Sequence, residues 1–273
     1  MVLATWEAAY RIVEWNDYSF PAPSHVVDAM LDLLNVRTAF GDHLHHGWPR
    51  PVGEHLIVDG GVIRSRLVFA NLTSGLRLGC GFAISIILGI ALGGVMWRFV
   101  PVNEFFGPLA LGLQTLPSVC WVPIAIVAFS YSEAGILFVM VMGSMFAVAI
   151  SVRDGLRTIP PLYERAGLML GASGWRLYRF ILLPAALPAM SSGLRQGFSF
   201  AWRSLMGAEL VFGAALYPKG LGSMLEDARN IYGTPYVIAV MIVMVIFGMV
   251  ADRLIFAPLE KRISRRFGLS GAK

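Results

Sequence analysis

Four long stretches without a charged side chain constrain this chain more than anything else in it. Leu78–Trp97, Phe105–Ser132, Ala134–Val152 and Ile231–Ala251 contain no Asp, Glu, Lys or Arg. Each reaches the roughly 17–25 residues that a helix needs to cross a bilayer. A fifth run, Phe180–Val211, is long enough but carries Arg195, Arg203 and Glu209. Composition agrees: 56% of the 273 residues are hydrophobic and 14% are charged, against about a quarter charged in soluble domains. The expected class is an all-α polytopic membrane protein with five spans and a possible sixth at the N-terminus.

The candidate sixth, Met1–Val13, holds Glu7 and Arg11 and is too short to span alone. It lacks the basic start and cleavage site of a signal peptide. It reads as a surface helix or as the end of a spanning one. Cys80 and Cys120 fall in different apolar runs, so neither a disulfide nor a metal site is expected. The net charge of +5 reflects which side of the membrane the loops face rather than nucleic-acid binding.

Arg153, Arg157, Arg165, Arg176 and Arg179 lie between two runs, and Lys261, Arg262, Arg265, Arg266 and Lys273 follow the last one. Basic loops stay in the cytoplasm, so both stretches, and with them the C-terminus, are expected there. Counting back through three spans places the residues before about Arg77 outside. Arg37, Arg50, Arg64 and Arg66 in that segment do not favour this side, but long segments translocate largely regardless of charge.

Within the outer segment, Ser24 is the expected N-cap of a short helix, Val26–Leu34. His43, His45, His46 and His55 are read as an exposed loop, since nothing fixes a metal geometry around them. In the first apolar run, Gly81, Ser85, Gly89 and Gly93 recur every four residues. Such small-residue ridges let helix backbones approach closely in lipid, either within one chain or between two. In the next run Pro117 and Pro123 interrupt the hydrogen-bond ladder.

The stretch between the third and fourth spans is the most informative. Pro161 suits the first position of a helix, where its missing N–H is not needed. Glu164 then falls in the first turn, at the positive end of the macrodipole. Gly171 follows the last helical residue, where a left-handed backbone is tolerated. The expected helix is Leu162–Leu170, with Ala166, Gly167 and Leu170 as a small apolar face. Ser173 would cap a second helix, Trp175–Leu183, that bends into the membrane at Pro184. A short cytoplasmic helix of this kind suits docking into a groove of a soluble partner, or lying on lipid as an interfacial helix.

The stretch Glu164-Arg165-Ala166-Gly167-Leu168-Met169-Leu170-Gly171-Ala172-Ser173, followed by Leu183-Pro184 and Pro188, resembles the "EAA" loop of binding-protein-dependent ABC importer permeases. Arg165 stands where that family often has alanine. Phe20-Pro21-Ala22-Pro23, Leu116-Pro117-Ser118, Trp121-Val122-Pro123, Ala201-Trp202-Arg203 and Gly220-Leu221-Gly222 look like its sulfonate, taurine, nitrate and bicarbonate branch.

The resemblance implies a type I importer fold in the inner or plasma membrane. Residues 1–72 would be an N-terminal helix and outer surface segment, 73–260 the transmembrane permease domain with a cytoplasmic coupling loop at 153–180, and 261–273 a basic tail. It implies a second permease copy, two cytoplasmic ATPase subunits and an outside solute-binding protein as partners. Glu164, Ala166, Gly167, Leu170 and Gly171 would couple to the ATPases. The chain contains no phosphate loop of the G-x-x-x-x-G-K-[ST] type, so it does not bind ATP by that device. No cofactor is expected.

The charged run supplies a candidate pathway. Placed at roughly 100° per residue, Arg195, Gln196, Ser199, Arg203 and Glu209, with Ser192, fall within one arc of about 140°. Ionisable groups in a span face protein or water. This face therefore lines a passage for solute, with Arg195 or Arg203 countering an anion, or it holds an internal Arg–Glu pair that fixes packing. Asp252 and Arg253, near the interface, can reach water and are given no role. An ion-driven carrier with Glu209 as proton site is the second reading. A membrane-embedded enzyme is the weakest, because no nucleophile motif, catalytic carboxylate pair or metal-spaced histidines appear in a span.

Overall fold

The computed structural model describes residues 2–13, 21–34, 66–213 and 215–266, and none of them lies in a β-strand. In chain order the helices are α1 (Val2–Val13), α2 (Pro23–Leu33), α3 (Arg66–Arg98), α4 (Val100–Thr115), α5 (Val122–Phe129), α6 (Glu133–Arg157), α7 (Pro161–Met169), α8 (Gly174–Leu177), α9 (Leu183–Phe212), α10 (Leu221–Asp227) and α11 (Thr234–Arg266). A 3₁₀ turn, Ser118–Trp121, precedes α5, and wider π turns, Tyr178–Leu182 and Ala228–Tyr232, precede α9 and α11. The expected histidine loop lies outside the described residues.

Leu67–Arg98, Glu133–Arg157, Gly174–Phe212 and Thr234–Leu259 are long and apolar enough to cross a membrane. The second apolar run, Phe105–Ser132, is interrupted as its prolines suggest. It is a pair, Val100–Thr115 and Ser118–Phe129, bent by 105°. Pro117 is the cause: it cannot donate to the helical ladder, and its ring drives the preceding Leu116 into an extended conformation (ψ 125°). Pro123 causes no break, because it sits in the first turn of α5, where no N–H is required.

Two expectations are corrected. The fourth span does not begin anew at Pro184; Gly174–Phe212 runs through that proline as one long span. The irregularity is the π turn just before it, where the N–H of Leu183 bonds to the carbonyl of Tyr178, five residues back. Widening the turn makes room for a proline that can neither donate nor tolerate a close carbonyl one α-turn earlier. At the N-terminal side, Ser24 is not the cap of α2. Ala22 is the N-cap and Pro23 opens the helix, which frees the Ser24 hydroxyl to bond the Glu7 carboxylate of α1 at 3.3 Å.

The chain forms two compact units. The first comprises Met1–Arg77, Tyr131–Glu133 and Met206–Gly248. Its small core joins Val26 and Ala29 of α2 to Ala239 of α11, flanked by Trp6, Met30 and Tyr236. The Tyr236 hydroxyl donates to Asp32 at 2.7 Å.

The second unit comprises Leu78–Ser130, Ala134–Leu205 and Met249–Lys273. Here the small-residue ridge of α3 meets α6 of the same chain. A Cβ on Gly89 would stand 2.6 Å from Val148 Cγ1, and one on Gly93 2.8 Å from Val152 Cβ. Between them the Ser144 hydroxyl donates to the Ser85 hydroxyl at 2.7 Å, and Ser85 donates to the Gly81 carbonyl at 2.9 Å. The ridge is thus an intrachain packing surface. Close backbone approach replaces the hydrophobic driving force that lipid does not supply.

Candidate functional site

The α7 segment begins with Pro161 in its first turn, with Glu164 close behind. Its end is a Schellman motif. The N–H of Gly171 bonds to the Leu168 carbonyl and that of Ala172 to the Gly167 carbonyl, both at 3.0 Å. The turn requires a left-handed residue, and Gly171 supplies it with φ +80°. The helix closes at Met169, one residue before the expected end.

Its faces differ from the expected ones. Gly167 is buried and does not share the outer face with Ala166 and Leu170. A Cβ there would strike Leu177 and stand 2.8 Å from Ile181 Cδ1, so this glycine lets α7 lie against the helix that follows it. The outward apolar face is Leu162, Ala166, Met169 and Leu170, with Met169 and Leu170 89% and 84% exposed. Glu164 is exposed as well. Ser173 precedes α8, but its side chain makes no capping bond.

Along α9, Leu194, Phe198, Ala201 and Leu205 are buried, whereas Ser192, Gln196, Ser199 and Arg203 are exposed. The structure therefore brings four of the polar residues to one open face and separates two others from it. Arg195 is held by Asp252 of α11, Nε to Oδ1 at 2.9 Å and a terminal nitrogen to Oδ2 at 3.0 Å. Asp252 thus has a partner, which the sequence reading did not give it. The Arg203 guanidinium lies 4.7 Å from the Phe200 ring centre, and its Nε donates to the Ser199 carbonyl at 3.3 Å. Among the described residues it has no carboxylate partner.

Glu209 is fully buried and sits at the centre of a polar hub. Its Oε1 receives Arg77 at 2.9 Å. The Ser74 hydroxyl stands 2.9 and 2.8 Å from its two oxygens, and the N–H of Gly222 donates to Oε2 at 3.0 Å. Ser74 in turn accepts the N–H of Leu221 at 2.9 Å. The other side of Arg77 donates to Glu133, with Nε to Oε2 at 2.8 Å, and a terminal nitrogen also reaches the Pro218 carbonyl at 3.0 Å. The backbone of Gly220-Leu221-Gly222 presses so closely on this carboxylate that a Cβ on Gly220 would overlap it. One on Gly222 would stand 2.6 Å from Glu209 Cβ and 2.7 Å from the Met206 carbonyl.

Ser74, Arg77 and Glu133 are the residues that sequence reasoning missed. With the first span begun at Leu78, Arg77 became a boundary residue, although α3 starts at Arg66. The available signal was Glu209 itself. A carboxylate in an apolar run needs a cation, and an arginine one turn from a serine at the rim of another run is a fitting donor set.

With this geometry in view, the likeness to known proteins has a place to rest. Residues 85–265 match the family described as "Binding-protein-dependent transport system inner membrane component". The chain is 30% identical over 188 residues to the nitrate import permease protein NrtB of a Synechocystis species, covering 69% of this chain and 66% of that protein. It is 29% identical over 209 residues to the bicarbonate transport system permease protein CmpB of Synechococcus elongatus, covering 76% and 73%. The chain thus spans about two thirds to three quarters of the length of these relatives. Among solved structures, a chain of the MetNI methionine ABC transporter in inward-facing conformations superposes with TM-score 0.60 over 74% of this chain and 97% of that one, at 17% identity. That likeness shows the transmembrane fold of an ABC importer, in keeping with the type I fold expected from the sequence. On these grounds the chain belongs to the family of inner membrane components of binding-protein-dependent transport systems.

Proposed function

We propose that two copies of this chain form the membrane passage of an ATP-driven importer for a small anion of the nitrate, bicarbonate or sulfonate and taurine class. The observation that carries this is the open polar face of α9. Ser192, Gln196, Ser199 and Arg203 are exposed on a helix that spans the membrane. Polar and cationic groups are costly against hydrocarbon, so this face must be covered by protein or by a water-filled passage. A second copy across it supplies both. Arg203, without a carboxylate partner among the described residues, is the group that meets the anion, and Gln196 and Ser199 add uncharged hydrogen-bonding groups beside it.

Energy arrives through α7. Its outward Leu162, Met169 and Leu170 seat in a groove of a cytoplasmic ATPase subunit, and closure of the ATPase pair draws the two α7 helices together. The basic loops and the C-terminus lie in the cytoplasm, and a solute-binding protein delivers cargo to the opposite face. A gradient-driven carrier using Glu209 as proton site is not favoured, because that carboxylate is fixed by Arg77, Ser74 and a backbone N–H.

The test is uptake by the assembled transporter in proteoliposomes. Arg203→Ala should cut uptake by about a hundredfold, the size of a lost charge-assisted contact, while ATP hydrolysis and assembly persist. Unchanged uptake would refute the assignment of the passage to this face.

A further inference from the structure

Where the first span ends at Arg98 and the fourth begins at Gly174, the second unit carries a cavity of about 820 Å³. That volume falls within the roughly 300–1,000 Å³ typical of small-molecule sites. Gly94, Trp97 and Arg98 line it from α3, Glu164 and Leu168 from α7, and Trp175 from α8. Tyr178, in the π turn, stands beside both tryptophans, its ring centre 6.4 Å from that of Trp97 and 5.5 Å from that of Trp175. The Tyr178 hydroxyl donates to the Ile90 carbonyl at 2.9 Å, which fixes the ring. Gly94 permits this approach, since a Cβ there would stand 2.5 Å from the Tyr178 hydroxyl oxygen.

Two charges of opposite sign border this aromatic wall. Arg98 and Glu164 are both exposed, and among the described residues neither has an ion-pair partner. The ends of apolar spans lie at the level of lipid headgroups, where tryptophan and tyrosine gather. We propose that this cavity binds the headgroup of a zwitterionic phospholipid with a primary amine, of the phosphatidylethanolamine type. The Arg98 guanidinium takes the phosphate through charge-assisted hydrogen bonds. The ammonium lies against the aromatic rings and donates to the Glu164 carboxylate. An anionic headgroup would satisfy Arg98 and leave Glu164 unanswered, and a choline has a cation but no N–H to donate. The exposed Val95 and Phe99, also in the lining, give the acyl chains an apolar track. Because Glu164 and Leu168 belong to α7, a lipid seated here supports that helix while its outward Met169 and Leu170 stay free.

The assembled transporter, purified in mild detergent, is offered an equimolar mixture of phosphatidylethanolamine, phosphatidylcholine and phosphatidylglycerol with identical acyl chains. Native mass spectrometry then counts the lipids each complex retains. Phosphatidylethanolamine should be favoured over each of the others by about tenfold, the size of one charge-assisted hydrogen bond. Glu164→Ala should bring that preference to within about twofold, and Arg98→Ala should lower retention of phosphatidylethanolamine to the level of the other two lipids. If either variant does not assemble, Trp175→Leu, at an exposed side chain, should weaken the preference in the same direction. Equal retention of the three lipids by the parent, a preference for phosphatidylglycerol, or a preference that survives Glu164→Ala would each overturn the proposal. Free phosphoethanolamine in excess should leave the lipid in place. Its displacement would overturn the assignment of the site to a membrane lipid.

Discussion

Arg195 and Asp252 face each other in a two-pronged ion pair between α9 and α11, with nitrogen–oxygen distances of 2.9 and 3.0 Å. The pair divides the two arginines of α9 into different kinds. Arg195 has its charge neutralised and lies 5.7 Å from the Phe256 ring centre, whereas Arg203 keeps its charge on the open face.

The two should therefore fail differently. Arg195→Ala should lower thermal stability by up to about 1 kcal/mol, the worth of a partly exposed pair, with the apparent affinity for the anion within about twofold. Arg203→Ala should leave the melting temperature nearly unchanged and raise the half-saturating solute concentration. Thermal unfolding in detergent and uptake kinetics separate these outcomes. Equal kinetic losses from both would contradict the distinction.

Gly93 of α3 has the Ala149 carbonyl and Val152 of α6 in the space where a side chain would go. A leucine there should push the helices apart and destabilise the fold by about 1–3 kcal/mol or more. Gly79, with nothing within 4 Å of a built Cβ, is the control: Gly79→Leu should be tolerated. Melting temperatures of the two purified variants check the contrast.

Gly171 ends α7 at φ +80° and has open space around it, so only its backbone conformation matters. Gly171→Ala should cost about 1 kcal/mol locally, and Gly171→Val more, by fraying the last turn that presents Met169 and Leu170. Uptake per ATP hydrolysed should fall in that order while the global melting temperature changes little. Full coupling in Gly171→Val would count against α7 as the transmitting element.

Gly222 is closely enclosed within the first unit, with Glu209 Cβ and the Met206 carbonyl both within 2.7 Å of a built Cβ. Gly222→Ala should therefore destabilise by about 1–3 kcal/mol. It should also lengthen the N–H bond to Glu209. Because backbone cannot yield as a flexible side chain does, a larger neighbouring cavity should not rescue it. A melting temperature equal to the parent's would show that the corner has slack.

Much of this was legible beforehand, and the particular residues show why. The break at Pro117, the start of α7 at Pro161 and the left-handed Gly171 follow from missing N–H groups and a missing Cβ, which act within one turn of helix. The π turn before Pro184 and the bond from Ser24 to Glu7 were not legible, because each answers to a neighbouring helix or turn rather than to its own residue type. The ridge from Gly81 to Gly93 could be seen as a packing surface, but not which helix it would meet.

The sequence by itself determined the class of the protein, the number of apolar segments and the place of the basic loop between two of them, since hydropathy, basic residues and helix stops are local quantities. Only the tertiary structure decided that Glu209 belongs to Arg77, 132 residues away, that Arg195 belongs to Asp252, and that Arg203 is left on the open face. The reason is physical: a charge inside a membrane protein must be compensated, but several arginines could supply the compensation, and the choice among them is made by which helix ends the packing brings within about 3 Å of one another.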